Sequence, residues 1–276
     1  MKKYIFALST CVFSIASTAF SQQYRHPVSA VYLSLGAYST THHDVFSFVN
    51  NQASLAKINN TQAGIYSERR FLLKETSQYT AAVAIPTQLG NFGIQLNYGG
   101  FTNFNEYKIG LAYARSLGSA IDIGIQFNYN GYHIPAYVNN SAVNFEIGMI
   151  AHLTDKLNMG VHVYNPVGGK FSKSEEQLTA IYKIGIGYDV SEIFFVSAEV
   201  VKEEHFPASI NAGVQYKFMQ QLFAKAGICS AISAPYAGIG VSWNNLRVDI
   251  SGSYHPQLGF SPGILLIANF NKKSND

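Results

Sequence analysis

Cysteine is almost missing from this sequence, which holds two in 276 residues, Cys11 and Cys229. Cys11 falls in an apolar leader, so an exported, processed chain keeps one thiol. That excludes an internal disulfide and a cysteine-based metal cluster. Charge is also scarce: Asp, Glu, Lys and Arg make up 13% of the residues, against roughly a quarter in a soluble globular protein. The net charge of +3 is too small to attract a nucleic acid, and no nucleic-acid partner is expected. After the leader no apolar run approaches the ~20 residues of a membrane helix. GxSxG, HExxH and EF-hand spacings do not occur, which removes the nucleophile elbow, the zincin site and the calcium loop. His42, His43, Asp44, His152 and His162 lack any ligand spacing. The expectation is therefore no enzyme activity, no metal and no cofactor.

The leader reads MKKYIFALSTCVFSIASTAFSQQ. Lys2 and Lys3 give a positive start, residues 4–18 are apolar and small, and Ala19 and Ser21 suit a signal peptidase. Residues 1–21 are expected to be a signal peptide, with Gln22 as the new N-terminus. Lipidation at Cys11 is not expected, since Thr10 precedes it and the apolar stretch before it is only about seven residues.

What is abundant is aromatic and alternating. Tyr (18) and Phe (19) far outnumber the single Trp. In AIDIGIQFNYN, residues 120–130, Ile121, Ile123, Ile125, Phe127 and Tyr129 take one face, and Asp122, Gly124, Gln126, Asn128 and Asn130 the other. The same two-faced pattern recurs from Thr61 onward in fourteen segments. They cover 61–73, 76–86, 92–100, 105–116, 120–132, 141–153, 158–166, 177–190, 193–203, 207–218, 221–231, 235–244, 246–255 and 262–271. Most suit the ~9–11 residues of a tilted bilayer-spanning strand. Links such as TDK, VSE and NN are short and alternate with longer ones such as HIPAYVNNS, VGGKFSKSEE and PQLGFS. The first of the longer set, near Lys74–Glu75, is expected to be a short exception. Short turns alternating with longer loops point to an all-β, antiparallel transmembrane barrel of about 14 strands in an outer membrane. The lipid bilayer is its first partner, with both chain ends periplasmic.

On this reading residues 61–276 form the barrel, and residues 22–60, which do not alternate, form a periplasmic or plug segment. Alternation places Asp122, Gln126, Asn128, Glu146, Lys183, Glu199, Lys217, Arg247 and Asp249 on the lumen side. Lys108, His152, His162, Lys225 and His255 share that face. Two readings of this lining stand open: a hydrated interior stitched by ion pairs, or a polar path for a substrate. Both signs of charge occur, so no ion selectivity follows.

Within residues 36–58 stands GAYSTTHHDVFSFVNNQASLAKI. Here the chain resembles the fatty-acid-transporter (FadL-type) superfamily of outer-membrane barrels, which includes the PorV and PorQ proteins of type IX secretion. Those families carry G-A…D-D…N-P-A-G-L-A before the first strand; this chain has Gly36-Ala37, His43-Asp44 and Asn51-Gln52-Ala53-Ser54-Leu55-Ala56. Gln52 replaces the proline, Ser54 the glycine, and His43 an acid. The resemblance implies a fourteen-strand fold in the outer membrane of a Gram-negative bacterium. It also implies an N-terminal plug in which Asp44, Phe48, Asn51, Ala53 and Leu55 pack inside the barrel; a loose periplasmic leader is the alternative. For function it implies an accessory role among the proteins of a type IX-like secretion or surface-attachment system, or passive transport of small hydrophobic molecules.

Overall fold

The computed structural model describes residues 35–135, 138–173, 177–232 and 234–270. The expected signal peptide, residues 22–34 and the tail 271–276 lie outside the described residues.

Fourteen antiparallel strands close into one barrel. They are β1 (Thr61–Arg69), β2 (Ser77–Thr87), β3 (Gly90–Phe101), β4 (Phe104–Leu117), β5 (Ile121–Ile134), β6 (Val138–His152) and β7 (Leu157–Tyr164), followed by β8 (Ile181–Ser191), β9 (Phe194–Glu203), β10 (Ser209–Lys217), β11 (Leu222–Cys229), β12 (Ala234–Trp243), β13 (Leu246–His255) and β14 (Gly259–Phe270). Each strand pairs with its sequence neighbours, and β1 closes the ring on β14, from Thr61 opposite Phe270 to Glu68 opposite Gly263. Closure leaves no unpaired edge, which is what allows strands to cross lipid. Among the described residues no helix is long and apolar enough to cross a membrane.

The outer face is apolar in bands. Ile94, Leu111, Ile123, Ile147, Ile184 and Ile250 form an exposed aliphatic belt. Toward the turn at Asn244–Asn245 the exposed residues become Phe92, Tyr188, Tyr216, Phe218 and Trp243; toward the opposite end they become Tyr79, Tyr98, Tyr129, Tyr254 and Phe260. An apolar band between two aromatic girdles is the dress of a barrel in a bilayer, where ring edges sit at the headgroup level.

The ends of the strands differ from expectation in informative ways. β1 stops at Arg69 rather than at residue 73, because Phe71 and Leu72 take left-handed backbone (φ 56 and 59) and wind two short 3-10 turns, Arg70–Leu72 and Lys74–Thr76. The link expected to be shortest on its side is thus among the longer ones. β8 begins at Ile181 and not at 177; Gln177 makes only an isolated bridge to Lys170. Most of HIPAYVNNS is strand, since β5 and β6 stay paired out to Ile134 opposite Val138. PQLGFS and GGFTNF likewise shrink to tight turns. The contrast between the two sets of links is therefore weaker than the residues suggested. The connection between Tyr164 and Ile181 is the long one, and its Phe171 and Leu178 pack on Ala142, an inward residue of β6.

Outward placement generates a prediction. Ile250→Arg, at a site two-thirds exposed on the aliphatic belt, should cost about 2–4 kcal/mol. Lys217→Arg, on the inner face, should change stability by less than about 0.5 kcal/mol. Urea unfolding in lipid vesicles measures both, and equal costs would contradict a lipid-facing outer wall.

Candidate functional site

Residues 35–58 lie inside the barrel, against the inner faces of the strands near the end with the shorter turns. They form a 3-10 turn (Leu35–Tyr38), one helical turn (Ser47–Asn50) and a 3-10 segment (Gln52–Lys57). Asn51 caps the last of these by accepting from Ala53 N–H at 3.1 Å. Asp44 and Ser47 shape the turn before the helix: Phe46 N–H donates to Asp44 Oδ1, and Asp44 N–H donates to Ser47 Oγ. The side chains of Phe48, Asn51, Ala53 and Leu55 are fully buried.

Close approach is possible because the wall is bare where the segment passes. A Cβ on Gly124 would lie within 2.6 Å of the Gln52–Ala53 peptide, and one on Gly148 would strike Asn51 Oδ1. On β7 and β8, side chains at Gly160, Gly185 and Gly187 would collide with Tyr38. Asn51 then donates from Nδ2 to the carbonyls of Met149 (3.4 Å) and Val161 (3.2 Å) on the strands themselves.

The lumen has two walls of different character. On the polar wall Glu146 is the focus, 1% exposed. Its Oε1 accepts from Lys108 Nζ (2.5 Å), Asn128 Nδ2 (2.8 Å) and Gln126 Nε2 (3.3 Å); its Oε2 accepts from Gln52 Nε2 (2.7 Å) and binds His162 Nε2 (3.0 Å). Glu199 accepts from Tyr38 OH (3.0 Å), Asn50 Nδ2 (2.9 Å) and Asn211 Nδ2 (2.8 Å), while Lys183 Nζ donates to Asn50 Oδ1. Burial first, and the Glu199 charge second, push the Tyr38 phenol well above its usual pKa, so it remains a donor. Asp122 bonds His152 (2.7 Å) and pairs with Lys57 (3.4 Å). Around the ring Arg247 grips Asp249 with two nitrogens and reaches Asp44 at 2.8 Å. Lys217 stands half-buried on the inner face of β10, near enough to act on His42. Desolvation holds the His42 pKa down, so neutral imidazole faces Gln215 Nε2 at 2.9 Å.

The other wall is apolar. Val45, Phe46, Phe48, Leu55 and Ile58 pack against Tyr66, Ala82, Ala84, Ala112, Ala114, Leu265 and Ile267, which belong to β1, β2, β4 and β14. The residue alternation had pointed to a polar lumen and did not single out this seam.

Residue types alone also missed the Asp189 anchor. Its carboxylate accepts from Ser39 Oγ (2.5 Å), Thr40 N and Oγ1 (both 2.9 Å) and Thr41 Oγ1 (3.0 Å). Asn91 Nδ2 donates to the carbonyls of Leu55 and Ile58, and Asn158 Nδ2 to that of Tyr38. The one signal in the sequence was the hydroxyl run Ser39-Thr40-Thr41 beside the two histidines.

A closed fourteen-strand barrel, banded outside and filled inside, defines the class: this is the fold of outer-membrane β-barrels. The chain matches no protein-family profile and no curated protein sequence. Among solved structures it is similar to the toluene transporter TodX of Pseudomonas putida, with 10% identity and a TM-score of 0.63 over 88% of this chain and 98% of that one. The toluene transporter TbuX of Ralstonia pickettii gives 9% and 0.62, over 86% and 98% of the two chains. A FadL homologue of Pseudomonas aeruginosa gives 11% and 0.60, over 86% and 97%. At such identities the likeness concerns the fold.

Two substitutions probe the packing. Gly185→Val inserts a branched side chain where the Tyr38 ring lies, and should cost about 1–3 kcal/mol by overpacking. Lys108→Met removes a cation 2.5 Å from buried Glu146 and should cost about 3–5 kcal/mol, because the carboxylate stays behind. Equilibrium unfolding in detergent reads both. A neutral Lys108→Met would mean that Glu146 does not depend on its cation.

Proposed function

We propose that the protein is a passive channel for small hydrophobic molecules in the outer membrane of a Gram-negative bacterium, with residues 35–58 as its plug. The observation that carries this reading is the apolar seam. In a lumen otherwise lined by hydrogen-bonded polar groups, Phe46, Phe48 and Leu55 lie on a wall of Ala82, Ala84, Ala112, Ala114, Leu265 and Ile267. Alanines and aliphatics along the inner face of a barrel offer an apolar solute a surface that needs no desolvation of polar groups. The similarity in fold to the toluene transporters supports the same substrate class. Asp122, Gln126, Asn128, Glu146, Lys183, Glu199, Arg247 and Asp249 hold the plug on this reading, and Lys217 lines the wall beside it; none binds the solute. The accessory role in secretion is the alternative, and no described residue specifically favours it.

Orientation follows from barrels of this class, whose chain ends face the periplasm. Val167→Cys should then react with a membrane-impermeant maleimide on intact cells, and Leu89→Cys should not; both sites are about three-quarters exposed, at opposite ends. Native Cys229 is buried and should stay silent.

For transport, expression in cells with an intact outer membrane should speed uptake of a small aromatic hydrocarbon. Deleting residues 36–58 should raise uptake further and raise planar-bilayer conductance. Ala84→Trp, which fills the seam, should abolish uptake while the folded barrel keeps its heat-modifiable migration. Uptake equal to that of cells lacking the protein, with recovery of a large assembly from solubilised membranes, would favour the secretion role instead.

A further inference from the structure

We propose that the outer face of β14, β1, β2 and β3 binds a phosphorylated, acylated sugar lipid of the outer leaflet, one acyl chain lying in a groove and the phosphate at Arg69 and Arg70. The site is separate from the lumen and rests on the proposed reading only for the orientation of the barrel.

Three observations meet here. The first is the groove, of about 320 Å3, on the lipid-facing side of these four strands. Its floor is made by two small outward residues, Ser67 and Ala81, while Ile65, Tyr79, Leu96 and Tyr98 stand around it. The strand pairing sets this arrangement: Ser67 lies opposite Tyr79 and Ala81 opposite both Ile65 and Leu96. Small residues among large ones on a lipid face leave a slot of chain width.

The second is charge. Side chains on β1 alternate, so Arg69 stands on the outer face two residues beyond Ser67, at the end of the groove. Arg70 and Lys74 follow in the link to β2. In a chain with 13% charged residues this is a dense basic cluster, opposed within the link by Glu75. Glu68 turns inward and is buried. Guanidinium groups suit the planar, two-point recognition of phosphate oxygens.

The third is that the link is held in a fixed and unusual shape. Phe71 and Leu72 both adopt left-handed backbone, rare for bulky residues and typical of sites where the surroundings impose a conformation. Phe71 N–H donates to Ser261 Oγ on β14 at 2.9 Å, Thr76 Oγ1 donates to the carbonyls of Arg70 and Leu73, and the Arg70 guanidinium sits over the Phe71 ring at 5.4 Å. This shape leaves Leu72 and Leu73 more than half exposed beside the basic groups. An apolar pair with cations at the rim of a transmembrane strand matches the boundary between acyl chains and phosphates.

The test uses the full chain purified in a neutral detergent, titrated with diphosphoryl lipid A and read by native mass spectrometry, with phosphatidylcholine as the neutral comparison. The parent should retain one lipid A and release phosphatidylcholine. Arg69→Gln with Arg70→Gln should weaken retention roughly 30-fold, the effect of removing two interfacial cations. Ala81→Trp, filling the groove floor, should weaken it without altering charge. Heat-modifiable migration reports that each variant is folded. Parent-level retention by both variants, or equal retention of phosphatidylcholine, would overturn the proposal. Preference for phosphatidylglycerol over lipid A would overturn the assignment to the outer leaflet. Hydrocarbon uptake by the double arginine variant should match the parent, so this site and the channel reading can fail separately.

Discussion

A carboxylate with almost no access to water governs the interior of this barrel. The two oxygens of Glu146 are met by side chains from β4, β5, β7 and the N-terminal segment. Burying such a group without partners is prohibitively costly, whereas a fully bonded one can be held in place. The arrangement is therefore strict. Lys108 must come from β4, Gln126 and Asn128 from β5, His162 from β7 and Gln52 from the segment. Strand register and the docking of residues 35–58 are tied together by one side chain. Glu199 repeats the device farther along the same wall, with Tyr38 and Asn50 from the segment and Asn211 from β10.

The segment is two-sided to match. Asn50, Asn51 and Gln52 address the polar wall, and Phe46, Phe48 and Leu55 address the alanine and aliphatic wall. Inward glycines on β5 to β8 let its backbone and the Tyr38 ring approach the strands, where any side chain would hold them off. Fourteen strands enclose more space than wall side chains fill. The space is taken by a piece of main chain, several of whose peptide groups are met by barrel side chains: the carbonyls of Tyr38, Leu55 and Ile58 by Asn158 and Asn91, and Thr40 N–H by Asp189.

The barrel was legible in the sequence because lipid and lumen impose a period of two on every strand, and fourteen such runs survive inspection one by one. Face was legible too: Asp122, Gln126, Asn128 and Glu146 fall on one side of β5 and β6 by counting alone. Neighbours were not. Alternation says that Lys183 is inside, but not that it touches Asn50, since that depends on shear and on the path of a non-alternating segment. The apolar seam was hidden for a related reason. Ala82, Ala84, Ala112 and Ala114 are small enough to read as lumen filler, and their partners lie in a segment with no periodicity. Strand ends failed where a local conformation overrode pattern, as at Phe71 and Leu72, or where pairing outran it, as in the β5–β6 hairpin.

The two kinds of contact holding the segment differ in how readily they can be exchanged. A hydrogen bond from the segment to a carboxylate of the polar wall is worth about 1.5–3 kcal/mol net, but water that reaches the wall can replace either partner. Burial of each large apolar side chain is worth about 1.5–3 kcal/mol, and water cannot replace that. Water alone thus loosens the side held by Glu146 and Glu199 more easily than the side held by Phe46, Phe48 and Leu55. An apolar solute sliding into the seam inverts the balance, since it substitutes for the alanine wall and preserves the burial of those rings. Entry of water on one side and of solute on the other leaves neither face of the segment uncompensated. On the proposed channel reading, a plug with one polar and one apolar face would hold against either solvent alone and yield where both are present, at the boundary of an aqueous compartment and a membrane.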